Sequence, residues 1–408
     1  MRGDLFGNVG VQNREFLRGF LILGALACAG MTIAFYWKTY WLAPFPRDAT
    51  SLVVGRDFLN FWMYGRAAFL HEPARFYDIA TYNHALRAML GANYPGQTWS
   101  YPPHIMLVAA PFGLLPYMPA LLCWTALGCA ALYFASRHEL KDCRLFAAVI
   151  VSPAVVFCLM SGQSSLVTTA MLLAIFAWLD RRPMLAGILI GLLTMKPQLG
   201  LLLPVMLIAS GRWRAFASAM ATAVALFALT WMLFGPSIWL DYWHIGIPAQ
   251  NAVLQDTRIL ATHFMPTIFM NAHLAGASYG MAMAIQGVFS LLAAATVFWA
   301  FRFHRNANAQ MLEALFFACA ISATPYLMGY DALPLAFAAV ALLAQGELDA
   351  PGRRLAQLAY WLPFIQFGLA GLHIPGAALI APAFAAWLAF KIADAKPFTM
   401  RAAAHPLP

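Results

Sequence analysis

GILIGLLTMKPQLGLLLPVMLI, residues 187–208, is an apolar run with one charged side chain, Lys196. A helix needs about 20 apolar residues to cross the hydrocarbon core of a bilayer. Lipid offers the backbone no hydrogen-bond partners, so a spanning segment must be a helix or part of a closed barrel. Runs rich in Leu and Ala without strict alternation favour helices. The stretch therefore predicts membrane helices, and Lys196-Pro197 predicts a break between two short ones.

The composition of the whole chain supports the same class. Of its 408 residues, 62% are hydrophobic and 10% are charged, whereas soluble domains average about half and about a quarter. The net charge is +9, but the basic residues form short clusters between apolar segments, where they orient spans. Without a basic stripe or a nucleic-acid motif, no nucleic-acid partner is predicted. The composition excludes a soluble protein.

The basic clusters predict the topology. Arg14 and Arg18 precede the first apolar run and place the N-terminus in the cytoplasm. We expect about ten to twelve helical spans in one integral domain, 1–408, of the cytoplasmic (inner) membrane. Residues 103–137 and 184–210 each have the pattern of a pair of short helices. The other predicted inside loops are 137–144, 180–183, 211–214, 301–310, 346–354 and 391–401.

The first outer loop, residues 38–103, is predicted to contain interfacial helices. Phe58, Phe61, Trp62, Gly65 and Phe69 recur at helical spacing with polar residues between them, which is typical of an amphipathic helix lying along the membrane surface. A second helix is predicted over residues 78–90, with the first residue of that range, an aspartate, as its N-cap.

A few polar side chains are candidates for chemistry. Asp57 begins the first interfacial helix beside Arg56 and Asn60, and Asp331 lies at the outer edge of a late span. Stabilisation of a helix N-terminus is the simpler interpretation of both acids. Lys196 is a functional candidate, because a lysine at mid-membrane depth costs about 2.5–3.5 kcal/mol on insertion scales. Its simpler alternative is a side chain that reaches the interface.

Motifs for cofactor chemistry are absent from the sequence. It contains no G-x-x-x-x-G-K-[ST], no H-E-x-x-H and no D-x-D. His104, His263 and His373 are isolated near the predicted outer face. The six cysteines form no close pair, and we interpret them as small buried hydrophobic residues. No metal site and no cofactor are predicted.

Four stretches together resemble a known family. GRDFLNFWMYGRAAFLHEPARFYD (55–78), WSYPPH (99–104) with the apolar run after it, SGQSS (161–165) through TMKPQ (194–198), and SATPYLMGYDALPL (322–335) occur in its order. The chain resembles the polyprenol-phosphate-mannose-dependent mannosyltransferases, glycosyltransferase family 87 of the GT-C superfamily. It departs from many relatives at Tyr330 and Asp331, where they carry histidine or another polar pair.

The resemblance implies an all-α polytopic GT-C fold and an inverting, metal-independent sugar transfer at the extracytoplasmic face. The donor would be a polyprenyl-phosphate sugar, with mannose the first candidate, and the acceptor a glycolipid or glycan hydroxyl among membrane lipids. Asp57 matches the family's catalytic base. Lys196, Arg56 and Arg258 are the expected ligands of the donor phosphate. The expected contacts of the sugar or acceptor are Asn60, Tyr64, Tyr101, His104, Gln163, His263, Tyr330 and Asp331.

Two other functions stay open at this point. Lys196-Pro197 is also the kind of helix break found in transporters and lipid flippases, although no matching break occurs in the second half of the chain. A non-catalytic assembly protein that holds lipid is the other alternative. The sequence does not identify the sugar, the acceptor or the linkage.

Overall fold

The computed structural model describes residues 11–41, 43–140, 142–257 and 260–394. Within these ranges the chain is nearly all helical, and its one β contact is an isolated bridge between Arg47 and Val53. Short 3-10 helices cover Pro73–Tyr77, Leu193–Met195, Leu260–Phe264, Gly329–Ala332 and Ala377–Leu379, and Tyr242–Gly246 is a π-helix. The α-helices are α1 (Val11–Tyr36), α2 (Arg56–Ala67), α3 (Ile79–Leu90), α4 (Ile105–Gly113), α5 (Tyr117–Ser136), α6 (Cys143–Ile150), α7 (Pro153–Ser161), α8 (Ser165–Trp178), α9 (Pro183–Leu192), α10 (Pro197–Gly200), α11 (Leu203–Ala209), α12 (Trp213–Phe234), α13 (Ser237–Asp241), α14 (Ile247–Gln255), α15 (Ile268–Leu274), α16 (Tyr279–Phe303), α17 (Ala309–Ala323), α18 (Leu333–Gln345), α19 (Ala350–Gly371) and α20 (Ile380–Asp394).

The predicted class, an all-α polytopic membrane protein, is confirmed. In the described chain, four helices are long and apolar enough to cross a membrane: α5, α12, α16 and the segment Ala377–Asp394 that contains α20. The bent pair of α6 and α7, with 59° between its halves, is a fifth candidate, and six further apolar helices have 10–17 residues. These four or five candidate spans are fewer than the ten to twelve expected, because several apolar segments are divided into shorter helices. Pro153, Pro197 and Pro334 each lie in the first turn of such a helix.

One of the two predicted breaks into short helices is present as expected, and the other is present only in part. Residues 184–210 form α9, a 3-10 turn, α10 and α11, and the break falls at Lys196. A residue before proline is disfavoured in the helical region, and Lys196 has φ −130° and ψ 75°. Residues 103–137 form α4 and α5 with Pro116 between them, but α5 is a full span rather than a short helix.

Both helices predicted within residues 38–103, the predicted first outer loop, are present. Asp78 caps α3 as predicted, since its Oδ2 accepts a hydrogen bond of 2.9 Å from the backbone N–H of Thr81. The sequence predicted that α2 is amphipathic and lies along the membrane interface, with one face buried. Eight of its 12 residues are buried, on all sides of the helix, and α2 ends at Ala67, before Phe69.

Two glycines let α2 pack directly on α4. A Cβ atom at Gly65 would lie 2.2 Å from the backbone oxygen of Ala109, and one at Gly113 would lie 2.2 Å from the carbonyl carbon of Gly65. Such distances are possible only where neither residue has a side chain. This backbone contact fixes α2, and the acid at its start, against the helix that leads into the span α5.

Candidate functional site

Asp57 lies in the first turn of α2, where Gly55 takes the left-handed conformation with φ 78°. The residue as a whole is partly exposed. Oδ2 accepts hydrogen bonds from Nε2 of Gln163, at 3.0 Å, and from the hydroxyl of Tyr330, at 3.2 Å. No hydrogen bond reaches Oδ1 from any residue that the structure describes. One carboxylate oxygen is therefore fixed, while the other stays available to an incoming group.

Gln163 lies in the turn between α7 and α8. Gly162 ends α7 in the left-handed region, with φ 67°. A Cβ atom there would lie 2.6 Å from Cβ of Phe58 and 3.1 Å from the carbonyl oxygen of Gly55. Only glycine allows this close approach to the start of α2, and the approach places the next side chain, Gln163, beside Asp57.

Tyr101 adds a second hydroxyl to the cluster. That hydroxyl lies 3.3 Å from Nε2 and 3.4 Å from Oε1 of Gln163. Two buried tyrosines hold its backbone: the hydroxyl of Tyr64 accepts from its N–H at 2.7 Å, and the hydroxyl of Tyr77 donates to its carbonyl at 2.8 Å. The segment preceding Pro102 is thereby held rigidly against the core of the outer loop.

A buried ion pair lies next to the Asp57 cluster. Nζ of Lys196 is 2.8 Å from Oδ1 of Asp331, and the two side chains are 3% and 1% exposed. Nζ also lies 5.2 Å from the centre of the Tyr330 ring. The interpretation of Lys196 as a side chain that reaches the interface is wrong, because the ammonium is enclosed and paired. Asp331 likewise does not cap α18, which has no side-chain cap.

Ser165 also contacts this ion pair, although sequence analysis did not identify it as a site residue. Its hydroxyl donates to Oδ1 of Asp331 at 2.7 Å from the first turn of α8. The residue lies within SGQSS, two positions after Gln163, so the only available signal was its neighbourhood. A serine in an apolar segment has too many structural explanations to be singled out.

The environment of Asp57 suits a proton acceptor. Burial raises the pKa of its carboxyl, and the hydrogen bonds from Gln163 and Tyr330 and the charge of Lys196 oppose that shift. A general base works best when its pKa lies near the operating pH, above the ordinary carboxylate value of about 4. The opposing influences keep the carboxylate form accessible.

Arg56, Asn60 and Tyr64 lie outside the cluster. Arg56 donates to Oδ2 of Asp48 and to Oγ1 of Thr50, both at 2.8 Å. Asn60 donates to the Thr98 carbonyl, at 3.1 Å, and accepts from Tyr82. Tyr64 is fully buried, with its ring 3.6 Å from that of Trp99. All three side chains hold the outer loop together in this structure.

Neither of the two candidate histidines is hydrogen-bonded to Asp57 in the described part of the chain. His104 is buried, with Nε2 at 3.2 Å from the hydroxyl of Thr194 and its ring stacked on Trp239. The ring of His263 lies 6.4 Å from that of His373. Arg258 and the basic tail beyond residue 394 lie outside the described residues.

Metal-ligating side chains do not converge in the described part of the chain. No three of its His, Cys, Asp or Glu residues lie close enough to hold one ion. The side chains around Asp57 are an amide, two phenols and a paired ammonium. Together with the Asp57 carboxylate, they can donate hydrogen bonds, accept a proton and offer one positive charge.

Fold and site together define a class: an integral membrane protein with several spans, in which a partly exposed acid and a buried ion pair gather at the ends of helices. A family model narrows this class. The model of glycosyltransferase family 87 matches residues 99–325, more than half of the chain. The chain therefore belongs to glycosyltransferase family 87, a family of GT-C type, and is a membrane glycosyltransferase. It has no significant match among curated proteins or among solved structures.

The family match covers part of the site. Tyr101, Gln163 and Lys196 fall inside residues 99–325, whereas Asp57, Tyr330 and Asp331 fall outside them. The roles of the residues outside the match therefore depend on the geometry of this chain.

Proposed function

We propose that this glycosyltransferase moves a sugar, with mannose the first candidate, from a polyprenyl-phosphate donor to a hydroxyl of a glycolipid or glycan. The transfer takes place at the extracytoplasmic face of the cytoplasmic membrane, inverts the anomeric carbon, and uses neither metal nor cofactor. Membership of a glycosyltransferase family supports transfer rather than lipid transport. The observation that carries the proposal is the geometry of Asp57: Oδ2 accepts two hydrogen bonds, and Oδ1 accepts none from the described residues.

Asp57 is the general base in this reaction. The acceptor oxygen attacks the anomeric carbon while its proton passes to Oδ1. The bond between that carbon and the phosphate oxygen breaks, and the polyprenyl phosphate leaves with the electron pair. Gln163 and Tyr330 keep the carboxylate oriented, because both donate to the other oxygen. A positioned base of this kind contributes about 10²–10⁴-fold in rate.

The leaving phosphate needs positive charge and hydrogen-bond donors. Lys196 is the proposed cation, held in place by Asp331, which occupies one of its three N–H groups. Tyr101 and Gln163 are the proposed polar contacts of the sugar. Arg56 and Arg258 remain candidate ligands of the phosphate. The candidate contacts of the sugar or the acceptor still include Asn60, Tyr64, His104 and His263.

The test compares the intact purified chain with two single variants, incubated with a panel of polyprenyl-phosphate sugars and membrane lipid extract. In Asp57→Asn we expect transfer, read by mass spectrometry, to fall about 10²–10⁴-fold while donor binding and thermal unfolding are unchanged. Glu72→Gln is the matched control, because Glu72 is an exposed acid of the same outer loop. Transfer at the normal rate in Asp57→Asn would refute the base assignment.

A further inference from the structure

A cavity of about 640 Å³ lies between the second half of α2 and the turn from α4 to α5. Its walls include Trp62, Met63, Met89, Leu114 and Leu115, and Arg66 is the one charged side chain that lines it in the described chain. This volume falls in the range of small-molecule pockets, about 300–1,000 Å³. The lining suits a ligand with an apolar tail and an anionic group.

The cavity is separate from the Asp57 cluster. Arg66 follows Asp57 by nine residues on α2, which is two and a half turns of a helix. The two side chains therefore leave the helix on opposite sides, about 13 Å apart along its axis at 1.5 Å per residue. A phosphate held by Arg66 is out of reach of a sugar held beside Asp57.

Two guanidinium groups near the cavity lack acidic partners. Arg66 is exposed and lies 4.8 Å from the centre of the Trp62 ring. Arg75 is also exposed and lies 5.1 Å from the ring of Phe76, which lines the cavity. Neither has a carboxylate within 4.0 Å among the described residues. Their positive charge is thus available to an anion.

The rim of the cavity is apolar and exposed. The exposed fraction of the residue is 59% for Phe69, 40% for Leu70 and 71% for Leu114. Large apolar side chains grouped around a pocket mark a contact surface rather than a face turned to water. In a membrane protein, the surrounding lipid is the phase that such a rim contacts.

We propose that this cavity binds an anionic membrane phospholipid, distinct from the sugar donor. The phosphate accepts hydrogen bonds from Arg66, with Arg75 adding charge, and one acyl chain lies between α2 and the α4–α5 turn. Charge-assisted hydrogen bonds from arginine to phosphate are among the stronger polar contacts in proteins. The bound lipid fills the groove beside α2 and supports the helix that carries Asp57.

The first test uses native mass spectrometry of the full chain in non-ionic detergent. Phosphatidylglycerol and phosphatidylcholine with identical acyl chains are titrated separately. We expect at least tenfold tighter retention of phosphatidylglycerol, and Arg66→Gln should abolish that preference. Lys38→Gln is the matched control, because Lys38 is an exposed cation outside the cavity, and it should leave the preference intact.

A second variant tests the acyl-chain half of the site. Met89→Trp should fill the cavity without changing charge, and should weaken retention of both lipids by several fold. Equal retention of the two lipids by the unmodified chain, or a preference that survives Arg66→Gln, would overturn the proposal. Retention unaffected by Met89→Trp would do the same. Displacement of phosphatidylglycerol from the unmodified chain by polyprenyl phosphate would also overturn it, because the cavity would then hold the lipid of the sugar donor rather than a separate phospholipid.

Discussion

Removal of the Lys196 ammonium should destabilise the protein strongly. Its Nζ lies 2.8 Å from Asp331, and both side chains are almost fully buried. At an effective dielectric constant of about 20, two unit charges at that distance attract by about 6 kcal/mol. Desolvation offsets most of this attraction while the pair is intact. When one partner is removed, the other charge stays buried without compensation.

We therefore expect Lys196→Met to lower the free energy of unfolding by about 3–5 kcal/mol. In the double variant with Asp331→Asn, the amide replaces the unpaired carboxylate and can still accept from Ser165. The double variant should therefore lose less than the sum of the two single losses, by about 0.5–3 kcal/mol. Lys391→Met is the matched control, since Lys391 and Asp349 are also 2.8 Å apart but their side chains are 32% and 40% exposed.

The assay is equilibrium unfolding in detergent micelles, followed by tryptophan fluorescence. The control should cost about 0–1 kcal/mol, as exposed ion pairs do. A cost for Lys196→Met no larger than that of Lys391→Met, together with additive effects in the double variant, would show that the buried pair does not form. The proposed role of Lys196 toward the leaving phosphate would then lose its structural basis.

Three further outcomes follow from particular contacts. Gly65→Ala should lower the melting temperature, because the added Cβ would collide with the α4 backbone. Gly280→Ala is the control and should not lower it, because no atom lies within 4 Å of a Cβ at that position. Equal melting temperatures of the two variants would contradict this packing. Asp78→Ala should cost about 0.5–2 kcal/mol through the lost α3 cap, measurable by denaturant unfolding. The transfer rate should fall as the pH drops through the raised pKa of Asp57, since only its ionised form accepts a proton; a rate unchanged on acidification would argue against this base.

Local patterns predicted the secondary structure of the outer loop well. The spacing of aromatic residues after Gly55 and the N-cap at Asp78 predicted α2 and α3, since helical periodicity and capping depend on neighbours in sequence. The same patterns did not show that α2 is buried by protein on all sides. An amphipathic pattern reports that one face is buried, and does not distinguish lipid from a second helix such as α4.

Helix breaks were predictable, whereas the number of spans was not. Pro197 interrupts an apolar run visibly, and the break is present at Lys196. Counting spans from apolar length assumes that each run crosses the membrane once. Several runs in this chain are helices of 10–17 residues, and their depth depends on the helices packed around them.

The sequence by itself determined the class of this protein, because apolar length and lipid's lack of hydrogen-bond partners leave few structures for such a chain. Only the tertiary structure decided which polar residues meet. Asp57 contacts Gln163 and Tyr330 across 106 and 273 positions of sequence, and Lys196 contacts Asp331 across 135. No local pattern encodes such distances, since they result from packing between helices that are far apart in the chain.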